Sequence, residues 1–203
     1  LIDKAKNMWF AVYGQGLYFH NARTKSTYLF KFTKKPQPGC LKEGNFSHLL
    51  EVNGDVVITY SDGTLCRVNG EKQQVLWYNS YLAGHKITGD NGAYTFFDGR
   101  GGYWVSVSGA TYVYNSNLKK WTDSRTYLAE LGISVPVNTR VITRDVALDK
   151  AGHLWVASDH NGLFYIDLKS KVCRQFIHTN EKGSIIDNSL QKVYVDDDGA
   201  IWI

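Results

Sequence analysis

The sequence predicts an all-β protein made of repeated four-stranded antiparallel sheets, and three observations support this. A short motif recurs at near-constant spacing along the 203 residues. Between its copies, apolar and polar residues alternate over short stretches bounded by turn-forming residues, which is typical of strands. The composition of 13 Tyr, 9 Phe, 6 Trp and 19 Gly favours short strands and tight turns. Repeats of about 40 to 50 residues with four strands each are typical of β-propeller blades, so we predict a β-propeller fragment of about four blades.

The motif is an acidic residue followed six positions later by an anchor residue, which is Trp in four of its five copies. The acids are Asp3, Glu51, Asp98, Asp149 and Asp196, and the anchors are Trp9, Val57, Trp104, Trp155 and Trp202. The two clearest copies also have glycine three positions after the acid, at Gly152 and Gly199. Successive anchors lie 48, 47, 51 and 47 residues apart. We therefore predict one partial propeller over residues 1–203, with a truncated last blade.

The copy around Trp155 shows how one repeat divides into strands. Its strand-like stretches are residues 144–148, 153–158, 163–167 and 172–178. One segment departs from this pattern, because residues 124–131 favour one or two helical turns and are closed by Gly132. That segment lies where the spacing widens to 51 residues, which indicates an inserted loop.

The predicted ring is not closed within this sequence. The first repeat lacks most of its opening strand, and the last copy stops within its second strand. An open sheet edge invites aggregation, so propellers normally close by pairing their terminal strands. We therefore expect the remaining propeller blades of the parent chain to be a partner of this segment.

The residues give little support to several kinds of site. The widely spaced Cys40, Cys66 and Cys173 fit neither a disulfide framework nor a zinc site. An acid that starts a turn ending in glycine normally caps backbone N–H groups, so we interpret the repeated acids as turn residues. The net charge of +4 is mild, and no apolar run is long enough to span a membrane. We predict no metal, no cofactor, no catalytic residue and no nucleic-acid partner for this segment.

Loop geometry indicates where a ligand would bind. In an antiparallel blade, the connection from strand two to three and the connection from strand four to the next blade emerge at the same end. On this chain these connections are residues 13–15, 61–62, 79–86, 123–140, 159–161 and 179–189. Their side chains can stack on or hydrogen-bond to a polar ligand such as a sugar. The candidate ligand-binding residues are His85, Arg125, Asn138, Arg140, Asp159, His160, Asn161 and Asn188. For each of these residues, the competing interpretation is that it is an ordinary turn residue without a ligand.

The motif Asp-x-x-Gly-x-Leu/Ile-Trp-Val/Ile, followed by Gly-Leu-Phe/Tyr, resembles the two-component regulator propeller repeat. The copies at Trp155 and Trp202 are the most similar, whereas the copy at Val57 lacks the Trp and Lys6 replaces the glycine in the first copy. The resemblance implies the periplasmic sensor region of a Bacteroidetes-type hybrid histidine kinase, an inner-membrane protein. Such a region would detect an oligosaccharide or another small polar ligand and signal to the kinase. Formation of a homodimer is one way in which the signal would be passed on.

Two other functions remain open from the sequence. One is a catalytic carbohydrate-active propeller, a lyase or a glycosidase, whose paired carboxylates would come from loop residues. The available loop carboxylates are Asp123, Glu130, Asp159 and Asp187. The other is a protein-interaction scaffold. No phosphoacceptor histidine box or ATP-binding glycine motif is visible, so we predict that this segment is not itself an enzyme.

Overall fold

A computed structural model describes residues 1–34, 40–79, 93–107, 110–137 and 141–203, with the side chain of Tyr78 excepted. The chain divides into two compact units, residues 1–95 and residues 96–203. Within the described ranges the structure consists of short β-strands and one short helix. None of the helical structure described there is long and apolar enough to cross a bilayer.

The first unit contains two four-stranded sheets. The first sheet is formed by β1 (Met8–Val12), β2 (Gly16–His20), β3 (Thr27–Thr33) and β4 (Leu41–Lys42). The second sheet is formed by β5 (Phe46–Val52), β6 (Asp55–Tyr60), β7 (Leu65–Asn69) and β8 (Gln74–Asn79). Their strands are hydrogen-bonded in sequence order. Val57 lies in β6, a central strand, whereas Trp9 lies in β1, an edge strand of the first sheet, which is preceded by an isolated bridge between Ile2 and Met8.

One strand differs from the antiparallel arrangement that the sequence predicts. The two-residue β4 pairs with β3 in parallel, through Phe32 opposite Leu41 and Thr33 opposite Lys42. Leu41 is fully buried, and it packs in a cluster with Trp9 and Phe30. Burial of this leucine thus accounts for the position of the short strand, because hydrophobic burial outweighs the small preference for antiparallel pairing.

The second unit contains the next two sheets and a final pair of strands. β9 (Ala93–Phe97), which begins in the first unit, forms a sheet with β10 (Gly102–Val107), β11 (Ala110–Asn115) and β12 (Lys120–Asp123). β13 (Ile142–Leu148), β14 (Leu154–Asp159), β15 (Leu163–Asp167) and β16 (Val172–Phe176) form the next sheet. The last pair is β17 (Tyr194–Val195) and β18 (Ile201–Trp202).

A helix lies between these two sheets in sequence, where the repeat spacing widens. The helix, α1 (Ser124–Glu130), is capped by the side chain of Asp123, which accepts a hydrogen bond from the Thr126 N–H at 2.9 Å. Tyr127 and Leu128 on its inner face are buried. The helical segment predicted from the sequence is therefore confirmed, and its apolar face explains why it packs into the unit rather than projecting from it.

Each unit has its own apolar core between its sheets. In the first unit the core includes Trp9, Leu17, Phe19, Phe30, Leu41, Val56, Ile58, Tyr60, Cys66 and Val68. In the second unit it includes Phe96, Trp104, Val113, Tyr127, Leu128, Ile133, Leu154, Val156, Phe164, Ile166 and Leu168. Successive four-stranded sheets, each in sequence order, are the architecture of propeller blades. The predicted fold class, a β-propeller fragment, is confirmed.

Candidate functional site

In the four motif copies that contain a tryptophan, the acid and the tryptophan are joined by a hydrogen bond. One carboxylate oxygen of the acid accepts the backbone N–H four residues later, and the other accepts the indole N–H. The indole Nε1 to Oδ2 distances are 2.9 Å for Trp9 and Asp3, 3.4 Å for Trp104 and Asp98, 3.2 Å for Trp155 and Asp149, and 2.7 Å for Trp202 and Asp196. The structure thus engages both oxygens of each acid in holding the turn and the tryptophan.

The degenerate second copy uses a different polar pair. Its β5–β6 connection is a tight turn at Asn53 and Gly54, both with positive φ. Asp55 follows this turn and forms an ion pair with Arg67, with 2.6 Å between Asp55 Oδ2 and Arg67 Nη2. Arg67 lies directly opposite Val57, the residue that replaces the tryptophan. This pair was not predicted from the sequence. The Asp that immediately follows the Asn-Gly turn could have indicated a carboxylate with a structural role at this position.

The predicted ligand-binding residues fall into three groups. His85, Asn138 and Arg140 lie outside the described residues. Arg125 lies in the first turn of α1, and its guanidinium donates to the carbonyl of Val137. Asp159, His160, Asn161 and Asn188 all lie at one end of the β13–β16 sheet. The structure therefore brings together four of the eight residues, and we describe their surroundings next.

We define the loop cluster as Arg144, Asp159, His160 and Ser189. Ser189 Oγ donates to Asp159 Oδ1 at 3.1 Å and lies 2.8 Å from His160 Nδ1. The Arg144 guanidinium pairs with Asp159, whereas the side chain of His160 is 80% exposed. Hydrogen bonds from Arg144 and then from Ser189 hold the pKa of Asp159 below its ordinary value. The loop cluster is therefore an ionised carboxylate beside an exposed imidazole. Arg144 and Ser189 were not among the predicted residues.

Backbone hydrogen bonds hold the two connections of the loop cluster together. Gly162 N–H donates to the carbonyl of Asn188 at 2.8 Å, and Leu190 N–H donates to the carbonyl of Ser158 at 2.9 Å. The side chain of Asn188 accepts the His178 N–H at 2.7 Å. Asn161 takes part through its carbonyl, which accepts from Gln175 at 2.9 Å. Asn188 and Asn161 thus position the loops, and His160, whose side chain is 80% exposed, is the group available to touch a ligand.

Serine, histidine and aspartate are adjacent in this cluster, but their geometry differs from that of a hydrolytic triad. In a triad the carboxylate orients the histidine, and the histidine alone contacts the serine. Here Asp159 hydrogen-bonds to Ser189 directly, and its distance to His160 Nε2 is 3.4 Å. Among the described residues, no group of three or more His, Cys, Asp and Glu side chains is arranged to hold a metal ion.

The other loop carboxylates are engaged in local structure. Asp123 caps α1, and hydrogen bonds from Thr126 outweigh the effect of burial, so its pKa is lowered. Glu130 pairs with Lys120 at 2.9 Å, and Asp187 accepts the Ser189 N–H at 2.8 Å. A glycosidase general acid needs a raised pKa. Asp123 and Asp159 are shifted in the opposite direction, so neither has the property that this acid requires.

Comparisons with known proteins give structural matches only. No protein-family model matches the sequence, and no curated protein does either. The extracellular domain of BT4673 from B. thetaiotaomicron, a proposed hybrid two-component system, matches with a TM-score of 0.62 and 16% identity over 97% of this chain and 24% of that chain. The extracellular domain of BT3049 from the same organism, also a proposed hybrid two-component system, matches with a TM-score of 0.61 and 18% identity. The match covers 97% of this chain and 23% of that chain.

A third match comes from a different bacterial system. PorZ, a surface component of the type-IX secretion system of Porphyromonas gingivalis, matches with a TM-score of 0.60 and 13% identity over 97% of this chain and 29% of that chain. The chain thus spans about a quarter of the length of these three structures. Two of them belong to the protein class that the repeat motif resembles. At these identities the similarity shows that this chain shares the β-propeller fold of such extracellular domains.

Proposed function

We propose that this chain is part of the ligand-sensing, extracytoplasmic propeller of a hybrid two-component sensor, located in the periplasm. It binds an oligosaccharide or a similar small polar ligand and signals to a histidine kinase elsewhere in the parent protein. The observation that carries the proposal is the match of 97% of the chain to extracellular domains of two proposed hybrid two-component systems. The repeat motif supports it independently, because it resembles the sensor propeller repeat.

The loop cluster supports a polar ligand. It presents a carboxylate, an imidazole and a hydroxyl at one end of the β13–β16 sheet, with Arg144 beside them. Sugar hydroxyl groups both donate and accept hydrogen bonds, so they pair with such a mixed set. Asp159 stays ionised and accepts hydrogen bonds from Arg144 and Ser189. The exposed His160 can donate to a ligand or accept from it according to its tautomer.

A sensing role fits the loop cluster better than catalysis does. Each loop carboxylate is engaged by its own chain: one caps α1, two form ion pairs, and one accepts a backbone hydrogen bond. A glycoside-cleaving site instead needs two carboxyl groups that are free to act on one bond. A scaffold role is supported by no separate observation. We therefore place ligand sensing first.

Calorimetry of the complete extracytoplasmic region against a panel of oligosaccharides tests the proposal. We expect heat of binding with at least one sugar, and a His160→Ala variant should bind that sugar about fivefold more weakly, since one lost hydrogen bond is worth about 1 kcal/mol. Lys169→Ala is the matched control, because exposed Lys169 lies in the β15–β16 turn at the opposite end of the sheet. Absence of heat with every sugar would contradict the oligosaccharide ligand.

The parent gene provides a second test. A membrane-spanning helix and a phosphoacceptor histidine box encoded downstream of the propeller are expected for a hybrid sensor. A parent protein that lacks both would contradict the signalling part of the proposal, whatever the calorimetry shows.

A further inference from the structure

The inserted segment around α1 lies beside a cleft between the two sheets of the second unit. The cleft has a volume of about 510 Å³. On one side it is lined by Thr143, Val156, Phe164, Ile166 and Cys173, which come from all four strands β13 to β16. This volume is within the usual range of small-molecule sites, about 300 to 1,000 Å³. The cleft is distinct from the loop cluster, because none of the four cluster residues lines it.

The position of α1 explains why a cleft exists here. The two sheets are tied by Ser106 in β10, whose hydroxyl donates to the carbonyl of Thr143 in β13 at 2.7 Å. Leu128 of α1 and the following Ile133 belong to the buried core of the unit, and Val135 packs against that core. The inserted segment thus occupies part of the space between the two sheets, and the remaining space is the cleft.

The walls of the cleft are mainly apolar. Trp104, Leu128, Val156, Phe164 and Ile166 line it, and each has at most 4% of its surface exposed. An oligosaccharide would leave hydroxyl groups unpaired against such walls, and each unpaired group costs free energy. The chemistry of the cleft therefore differs from the chemistry of the loop cluster, and it selects a molecule with an apolar body.

One polar side chain in the wall lacks a partner. Thr111 lies in β11, has 5% of its surface exposed and lines the cleft. Its hydroxyl is buried and is the one side-chain polar atom of this kind without a hydrogen-bond partner in the described part of the chain. Buried polar groups almost always have a partner, so an orphaned hydroxyl beside a cleft indicates a position where a ligand group supplies the missing hydrogen bond.

We propose that this cleft is a second ligand site, which binds a small molecule with an apolar, ring-sized body and one polar group that hydrogen-bonds to Thr111. The proposal goes beyond the sensing of a polar ligand and does not depend on it. The two sites are separate, so either can fail in experiment without the other.

Two matched compounds test the proposal on the intact chain, naphthalene and 2-naphthol, which share an apolar body and differ by one hydroxyl. Binding is followed by the indole N–H resonance of Trp104, which lines the cleft. We expect both compounds to shift this resonance and 2-naphthol to bind about fivefold more tightly, as one hydrogen bond provides. Equal affinities for the two compounds, or no shift with either up to its solubility limit, would overturn the proposal.

Two substitutions separate the cleft from other binding surfaces. Thr111→Val removes the hydroxyl and keeps the shape, so it should reduce 2-naphthol affinity to that of naphthalene and leave naphthalene binding unchanged. Cys173→Trp should fill the cleft and abolish binding of both compounds. Val172→Trp is its control, since Val172 is the adjacent exposed residue and does not line the cleft. Binding that survives Cys173→Trp would contradict the assignment.

A thiol measurement on the unmodified protein keeps the test independent of variants that fold poorly. Burial raises the pKa of the Cys173 thiol to about 11, so its alkylation is slow and increases with pH. We expect 2-naphthol to slow alkylation of Cys173 and to leave alkylation of Cys40, in the first unit, unchanged. Equal effects on the two thiols would count against the cleft.

Discussion

Asp55 and Arg67 form an ion pair, at 2.6 Å, in the one repeat whose anchor position holds valine instead of tryptophan. Both side chains are largely buried, and Asn69 also donates to Asp55, at 2.5 Å. Breaking a largely buried pair from one side leaves an uncompensated charge, so Arg67→Ala should lower the free energy of unfolding by about 3 kcal/mol. Urea unfolding measures this change.

A double substitution provides the control for that pair. Replacing both partners, as Asp55→Asn with Arg67→Met, removes the two charges together, so it should destabilise the protein much less than Arg67→Ala alone. If the double variant is as unstable as the single one, the ion pair does not explain the loss.

Lys6 lies at a position where other repeats have glycine. Its φ is +66°, while the equivalent Gly152 and Gly199 have φ of +83° and +86°. A non-glycine residue in this left-handed region is strained by about 1 kcal/mol. Lys6→Gly should therefore raise the free energy of unfolding, by an amount below about 1 kcal/mol because glycine also loses more entropy on folding. Lys4→Gly, a change of the same type at a neighbouring exposed residue, should not raise it.

Gly162 immediately precedes β15, the third strand of its repeat, and lies in close contact with the neighbouring strand β16. A Cβ added at this position would lie 2.2 Å from the carbonyl oxygen of Phe176, a backbone atom that cannot move alone. Gly16 in the first repeat has the same relationship to Phe30, at 2.3 Å. Gly162→Ala should lower the free energy of unfolding by more than 2 kcal/mol, because about 1 kcal/mol of backbone strain is added to a steric clash.

Gly152→Ala is the matched control for Gly162→Ala. Gly152 has a similar positive φ, but a Cβ there would have no atom within 4 Å. Only the backbone strain of about 1 kcal/mol should remain. Thermal unfolding of the two variants compares them directly. An equal loss in the free energy of unfolding for both variants would show that the contact with Phe176 is unimportant.

Asp167 links the stability of the β15–β16 turn to pH. Hydrogen bonds from the side chain and then the backbone of Ser170 lower its pKa from 3.8 to about 2. A lowered pKa in the folded state means that the stabilisation is fully present above pH 4 and is lost as the pH falls towards 2. Ser170→Ala should bring the pKa of Asp167 closer to 3.8, which ¹³C NMR of the carboxyl carbon measures. An unchanged titration would show that Ser170 does not cause the shift.

The periodic features of this protein could be predicted from the sequence because they depend on local chemistry. An acid, a glycine and a tryptophan at constant offsets specify a turn and the strand after it, and alternation specifies which face of that strand is buried. The same locality explains the prediction of α1, because its cap, Asp123, and its closing glycine are next to it in sequence.

The contacts that define the candidate sites depend on tertiary structure instead. Arg144, Asp159 and Ser189 are separated by up to 45 positions in sequence and meet only because two connections emerge at one end of a sheet. The cleft beside Thr111 depends on how far an inserted segment separates two packed sheets, which no local pattern encodes. The sequence by itself thus determined the blade repeat and its turns, whereas packing between distant segments decided which side chains face a ligand.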